Sequence, residues 1–225
     1  MRPHSLGQRM THRPSRLARA QRFIAVTAGA IAVILTSQAP VSAQPADPVE
    51  RWWYDGTTRR TIWMAPDRLG VVFDPASIPK SRAEAEQRVG RSLPGASLDS
   101  QEGAVAIFRL QGAAGTAGAA REVRSERGVR HASAVYYQGS RGPGNPLVLS
   151  GEILVGFRGV MSPDDLARFS RKYGVVLMRP LGVVPNTFLF DARAAADSLA
   201  LANAIFETGQ VTLAQPNWIQ SAARR

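Results

Sequence analysis

The stretch "GEILVGFRGVMSPDDLARFSRKYG", from Gly151 to Gly174, predicts a strand followed by a helix. Its first residues are mostly apolar and begin with a glycine, which is typical of a short buried strand. Ser162 is a favourable N-cap, Pro163 suits the first position of a helix, and Gly174 is a typical residue at a helix end. The rest of the chain is interpreted outward from this strand and this helix.

The residues after Gly174 continue the pattern as far as Trp218. The segments "VVLMRPL" and "TFLFDA" predict two strands around the turn "GVVPN", "ADSLALANAIFETG" predicts a second helix, and "VTLAQPNW" predicts a last strand. The order β-α-β-β-α-β is that of the ferredoxin-like unit, whose helices cover one face of an antiparallel sheet and leave the other face open. Its predicted core consists of Phe157, Leu166, Phe169, Leu189, Leu199 and Ile205.

The first half of the chain repeats this order more loosely. "LGVVF" (Leu69–Phe73) corresponds to "ILVGF" in the second half, and a weak second strand is expected near Ser97–Gln101. The matching order and nearly equal spacing indicate a tandem duplication. The predicted fold class is therefore α+β, with two tandem ferredoxin-like βαββαβ units that have antiparallel sheets.

Composition changes along the chain predict six segments. Four aromatic residues precede the first unit, and they form either an exposed binding patch or a cover over the edge of that unit: Trp52, Trp53, Tyr54 and Trp63. The predicted boundaries are a signal peptide at 1–43, an aromatic hairpin at 44–68, the first unit at 69–138, an exposed linker at 139–150, the second unit at 151–220 and a tail at 221–225.

The first 43 residues have the pattern of a secretory signal peptide. Six of the 28 basic side chains lie there, no acidic residue does, and the apolar run Phe23–Thr36 is shorter than the roughly 20 residues that span a bilayer. Cleavage is expected between Ala43 and Gln44, with an uncleaved anchor as the alternative. The mature protein is then secreted or periplasmic, is not held at a membrane, and has no cysteine for disulfides.

Few residues carry the chemistry that an enzyme needs. His4 and His12 lie in the signal peptide, and His131, in an alternating strand, is expected to be structural. The pair Asp164 and Asp165 fits the first turn of a helix better than a catalytic dyad. With no cysteine there is no thiolate metal site, and the glycine-rich "GAAGTAGAA" lacks the spacing of a phosphate loop. No enzymatic activity, cofactor, metal or nucleic-acid partner is expected.

The second half resembles the N-terminal prodomain of secreted subtilisin-like serine proteases, of the fervidolysin type. The shared features are the Gly-Glu-Ile-Leu-Val-x-Phe strand, the helix that ends in glycine, the Val-rich strand and the closing Val-x-x-Ala-x-Pro-Asn. The resemblance covers about Gly151–Gln220 and extends more thinly back to Arg51. The Asp-Thr/Ser-Gly, His-Gly-Thr and Gly-Thr-Ser motifs of the catalytic domain do not occur in the chain.

The resemblance implies a folding chaperone and inhibitor that acts in trans on a subtilisin-like serine protease catalytic domain. Such prodomains place the open face of the sheet on two surface helices of the protease, and their C-terminal residues enter the substrate cleft. Here the chain is either a free-standing prodomain or the front of a longer precursor. The residues implied for the cleft are Asn217, Trp218, Ile219, Gln220, Ser221, Ala222, Ala223, Arg224 and Arg225.

The main alternative is a periplasmic or extracellular protein-binding module on a ferredoxin-like fold, because a fold does not determine a function. The aromatic hairpin would then be an interaction surface. A small enzyme on the same fold is a third alternative, and it lacks catalytic groups in the sequence.

Overall fold

The computed structural model describes residues 47–111, 115–139 and 144–220. This part of the chain contains nine strands, four α-helices and a short 3-10 turn at Pro75–Ser77. None of its helices is long and apolar enough to span a lipid bilayer. The strands are β1 (Val49–Asp55), β2 (Thr58–Phe73), β3 (Ser97–Glu102), β4 (Val105–Arg109), β5 (Val129–Gln138), β6 (Pro146–Phe157), β7 (Val176–Pro180), β8 (Thr187–Asp191) and β9 (Val211–Gln220); the helices are α1 (Arg82–Gly90), α2 (Thr116–Val123), α3 (Pro163–Tyr173) and α4 (Ser198–Glu207).

Helix α3 has the ends that its sequence predicts. The Ser162 side chain accepts a hydrogen bond from the Asp165 backbone N–H, and the Asp165 carboxylate accepts one from the Ser162 backbone in return, which is a capping box. These hydrogen bonds from Ser162 lower the pKa of the Asp165 carboxyl. At the other end Gly174 has a φ of 64°, which favours glycine. The acidic pair 164–165 therefore stabilises a helix end, as expected.

All nine strands belong to one antiparallel sheet, so the predicted fold class of two tandem ferredoxin-like units is wrong. The hydrogen-bonded order is β3-β4-β2-β5-β6-β8-β7, with β1 beside β2 and β9 beside β6. The β-α-β-β-α-β order of strands and helices recurs in each half. The two halves are nevertheless joined edge to edge, because β5 of the first half pairs with β6 of the second half.

The early start of β6 explains the joined sheet. This strand begins at Pro146, inside the segment predicted as a linker, and its residues from Pro146 to Ser150 are all buried. Three of them pair with β5 in the register Val135 opposite Val148. The segment reads as a loop in the sequence because glycine and proline surround it. In the structure it supplies the strand pairs that merge the halves.

Each half has a core on the helix-covered face of the sheet. In the first half α1 and α2 pack on β2, β4 and β5, around Phe73 and Phe108. In the second half α3 and α4 pack on β6, β8 and β9, around Ile153 and Phe190. Four of these side chains have no exposed surface: Phe73, Phe108, Ile153 and Phe190.

The predicted second-half core is confirmed in part. Phe157, Leu166 and Ile205 are buried in it, and Phe169 is only partly buried at its margin. Leu189 and Leu199 are buried elsewhere, because Leu189 lies on the opposite face of the sheet beside Leu154 and Leu199 packs with Ile62 and Tyr136 from the first half. The strand expected near Ser97–Gln101 is confirmed as β3.

Candidate functional site

The candidate site is the face of β6, β8 and β9 that lies opposite α3 and α4, referred to below as the open face. Side chains alternate along a strand, so the residues between Ile153, Val155 and Phe157 point away from the helices. Leu154 lies there, opposite Leu189 on β8 and Gln215 on β9. Leu213 belongs to the same face, since it lies opposite Gly156.

The open face has an apolar centre that remains partly accessible. Leu154 and Leu213 are half-buried and Leu189 is buried, whereas Arg179 at its margin is exposed. Among the described residues, both helices of this half lie on the other side of the sheet. A leucine row with two half-buried members and a polar margin resembles the centre and rim of a protein-binding surface.

One end of the open face carries a buried polar cluster around Glu152. This carboxylate is 6% exposed and forms a salt bridge with Arg130 of β5. It also accepts a hydrogen bond of 2.7 Å from the Asn217 side-chain amide. A buried charge is tolerated only when it is paired and hydrogen-bonded. The cluster therefore fixes β9 against β6 and connects the second half to β5.

The residues implied for a protease cleft fall in two groups. Asn217, Trp218, Ile219 and Gln220 form the end of β9 and pair with Leu147–Leu149 of β6. Ser221, Ala222, Ala223, Arg224 and Arg225 lie outside the described residues, as do Ala43 and Gln44 of the expected signal cleavage. An extended segment that enters a cleft would therefore begin after Gln220, because the four residues before it are held in the sheet.

Trp218 is part of an aromatic cluster in the interior. Its ring makes edge-on contacts with Trp53 at 6.0 Å and with Tyr136 at 5.4 Å between centroids. Edge-to-face pairs of this kind stabilise a core beyond the area that they bury. The partly buried ring thus connects the hairpin, β5 and β9.

The aromatic hairpin β1–β2 packs against the second half of the chain. Tyr54 stacks on Phe206 of α4 at 4.4 Å, and the Asn203 side chain donates a hydrogen bond of 2.9 Å to the Trp52 carbonyl. Trp52 itself is 36% exposed, and the Arg59 guanidinium lies over its ring at 4.2 Å. The hairpin therefore covers α4 and β9, which neither sequence interpretation anticipated.

A second accessible apolar region lies at the edge of the sheet. All residues of β7 are exposed, and the large apolar side chains Val176, Leu177 and Met178 are among them. In the described chain β7 pairs only with β8, so its outer edge has unpaired backbone groups. Such an edge is available to a partner strand.

His131 is buried in strand β5. It is 1% exposed, and desolvation together with the nearby Arg124 and Arg193 lowers its pKa to about 3. Within the described residues no cluster of histidine, aspartate and glutamate has the arrangement of a metal site.

Sequence reasoning missed the salt bridge between Glu152 and Arg130. The one available signal was the position of Glu152 in an apolar strand, because a carboxylate that is buried there requires a partner. The identity of that partner depends on how β5 lies beside β6, and the local sequence does not determine this.

Comparisons of the chain with known proteins match no family model, no curated protein and no solved structure. The resemblance of Gly151–Gln220 to subtilase prodomains therefore depends on the residues quoted above.

Proposed function

We propose that this chain is a secreted chaperone and inhibitor of a subtilisin-like serine protease, which it binds in trans through the open face. The observation that carries the proposal is the leucine row on the side away from α3 and α4, in which Leu154 of β6 and Leu213 of β9 are half-buried and Leu189 of β8 is buried. A sheet face with an apolar centre suits a flat protein surface such as a pair of helices.

The two activities have one physical cause. A partner that binds only the folded catalytic domain stabilises that fold by mass action, and it speeds folding when the contact already forms in the transition state. The same tight binding blocks the substrate cleft if part of the inhibitor occupies it. Inhibition and assisted folding should therefore be lost together when the open face is altered.

The structure limits the reach of the segment that enters the cleft. With Asn217–Gln220 held in β9, only Ser221–Arg225 remain of the implied residues. Five extended residues span at most about 18 Å, against roughly 30 Å for nine. The cleft must then lie close to the end of β9 when the open face is docked. An extended segment would pair its backbone with the edges of the cleft.

The test is inhibition of the subtilisin-like protease encoded nearest to this gene by purified Gln44–Arg225. A variant that lacks Ser221–Arg225 should inhibit at least about tenfold more weakly, with unchanged thermal stability, because the deletion leaves every residue of β9 in place. The matched control is Trp52→Ala, which alters an exposed residue on β1, outside the strands that form the leucine row, and should leave inhibition unchanged.

Two results would contradict the proposal in different ways. An unchanged inhibition constant after the deletion would exclude the cleft segment and leave the open face as the binding surface. Failure of the intact protein both to inhibit the protease and to accelerate its refolding would exclude the protease partner, and a binding module for another protein would replace it.

A further inference from the structure

The strand order of the sheet runs from β3 at one end to β7 at the other, and these two end strands differ. At β3 the side chains of α1 occupy backbone groups. The Leu98 N–H donates a hydrogen bond of 2.9 Å to the Glu86 carboxylate, and the Leu98 carbonyl accepts one from Arg82. Asp99 adds a charge to the same strand. Covered backbone groups and charged side chains keep an edge strand from pairing with another chain, so this end of the sheet is closed.

The edge at β7 has no such cover within the described part of the chain. All five of its residues are exposed, and its strand partner there is β8. The one charged residue of the strand is Arg179, which forms no salt bridge with any described residue. The backbone groups of β7 that point away from β8 are therefore free to pair with another extended strand.

The side chains at this edge are apolar although they are exposed. Among the described residues, five of the eight large apolar side chains that are exposed lie on β7 or in the turn that follows it: Val176, Leu177, Met178, Val183 and Val184. Val176 is 65% exposed and Val183 is 90% exposed. Exposed apolar residues that are concentrated in one place mark a surface that another molecule covers.

A second copy of the chain suits this edge because β7 is complementary to itself. Two β7 strands that are related by a two-fold axis run antiparallel, and an interface of this symmetry closes on itself. With any residue of Val176–Met178 on the axis, the apolar parts of the two strands face each other. Arg179 of one copy then lies opposite a residue before Met178 of the other copy, so no like charges are paired across the strands. The closed edge at β3 does not compete for β7.

The pairing is limited to a short stretch. Pro180 has no N–H to donate, and the register of β7 against β8 shifts between Leu177 and Arg179, which distorts the strand. Regular pairing is thus confined to the few residues around Val176–Met178. A weak, reversible contact follows from this length.

We propose that the chain forms a two-fold symmetric dimer in which β7 pairs antiparallel with β7 of a second copy. The two sheets then form one continuous sheet, and the apolar side chains at the edge of each copy are covered by the other copy. The contact uses the edge of the sheet and not the leucine row. It is measured without any protease, so its outcome is separate from that of the proposed function.

The first experiment is sedimentation velocity of purified Gln44–Arg225, which contains all nine strands and four α-helices. The expected result is a reversible monomer–dimer equilibrium with a Kd of about 10–100 µM, because the contact lies at the low end of interface sizes. Val176→Lys should weaken the dimer at least about tenfold, since it places two charges in an apolar contact. The matched control is Val160→Lys, which makes the same change at a position 90% exposed between β6 and α3 and should leave the Kd unchanged.

A second experiment does not depend on the folding of Val176→Lys. The chain has no cysteine, so a single introduced cysteine reports the pairing directly. In antiparallel pairing about a two-fold axis one residue lies opposite its own copy, with Cα atoms about 4.5–5.5 Å apart, which a disulfide spans. With oxidised glutathione, a cysteine at one of positions 176, 177 and 178 should crosslink the dimer. Ser100→Cys, at an exposed position of β3, is the control and should not crosslink.

The proposal is supported by a dimer that Val176→Lys weakens and Val160→Lys does not, together with a crosslink on β7. A protein that stays monomeric up to about 500 µM, well above the expected Kd, would overturn it. So would a dimer that Val176→Lys leaves unchanged, or the absence of a crosslink at all three positions of β7.

Discussion

The two halves of the molecule differ in the sheet face that turns away from their helices. In the first half Val72, Val105 and Ile107 on this face are buried in a cluster with Val148 of β6. In the second half Leu154 and Leu213 on the corresponding face are half-buried, and no comparable cluster covers them within the described chain. A repeated order of elements thus does not create a repeated environment.

One position at which the two halves differ is Gly70. Gly70 lies between Leu69 and Val71 of β2, as Leu154 lies between Ile153 and Val155 of β6. A Cβ atom at Gly70 would lie 2.6 Å from Val148 Cγ1, so the absence of a side chain lets β6 pack directly on β2. A leucine in this position does not permit such an approach. Among the described residues no equivalent contact covers Leu154 in the second half.

The largest expected effect tests the covered face against the open one. Val148→Asp places a carboxylate in the fully buried cluster and should lower the free energy of unfolding by about 3–5 kcal/mol, because an unpaired buried charge is strongly destabilising. Leu154→Asp should cost less than about 1 kcal/mol, since its side chain still reaches solvent. The measurement is urea unfolding of both variants, and equal losses would show that the two faces do not differ.

The next largest effect is the pH dependence of stability that His131 causes. This residue lies on β5 of the first half, next to Gly151 of β6. Its folded pKa of about 3 is below the ordinary value of 6.5, so the folded state keeps it neutral while the unfolded chain takes up a proton. The contribution of the neutral His131 to the free energy of unfolding is complete above pH 6.5. It is lost as the pH falls from 6.5 towards 3, at up to about 1.4 kcal/mol per pH unit. By pH 5 the loss should be about 2 kcal/mol.

The control for His131 is the difference between wild type and His131→Gln, because carboxylates also titrate in this range. The variant should lose about 2 kcal/mol less than the wild type between pH 7 and pH 5. Parallel stability curves for the two proteins would show that the histidine is not neutral in the folded state.

A smaller effect is expected at Phe169 of α3. Its ring contacts Phe157, Phe190 and Tyr173 but is only partly buried. Phe169→Ala should lower the free energy of unfolding by about 1–2 kcal/mol, whereas Phe190→Ala, with no exposed surface, should cost about 3–5 kcal/mol. Denaturant titration of the two variants is the check, and a larger loss for Phe169→Ala would reverse the assigned inner and outer positions.

Local signals in the sequence predicted the elements well and their assembly poorly. The caps Ser162 and Gly174 determine α3 by hydrogen bonds and backbone geometry within a few residues, so a local pattern identifies them. The apolar stretch from Pro146 to Ser150 looks like a loop because glycine and proline precede it, and its strand character depends on β5, which it pairs with. The pairing of strands that are distant in sequence cannot be predicted from the local spacing of apolar residues.

The candidate site was predictable to a similar extent. The ferredoxin-like order of elements predicts a sheet face without helices, but the apolar run Ile153–Val155 does not show which of its side chains lie on that face. The sequence did not reveal that Trp218 packs between Trp53 and Tyr136, because this contact joins residues from β1, β5 and β9. Four of the residues implied for the cleft, Asn217–Gln220, belong to β9.

The most direct test of the account is inhibition of the subtilisin-like protease by Leu154→Arg. The matched control is Val160→Arg, which introduces the same charge at a position 90% exposed, between β6 and α3. If the open face is the binding surface, Leu154→Arg should raise the inhibition constant by about tenfold to a hundredfold with its folded structure intact, and Val160→Arg should leave it unchanged. Equal inhibition by Leu154→Arg, Val160→Arg and the wild type would contradict the account.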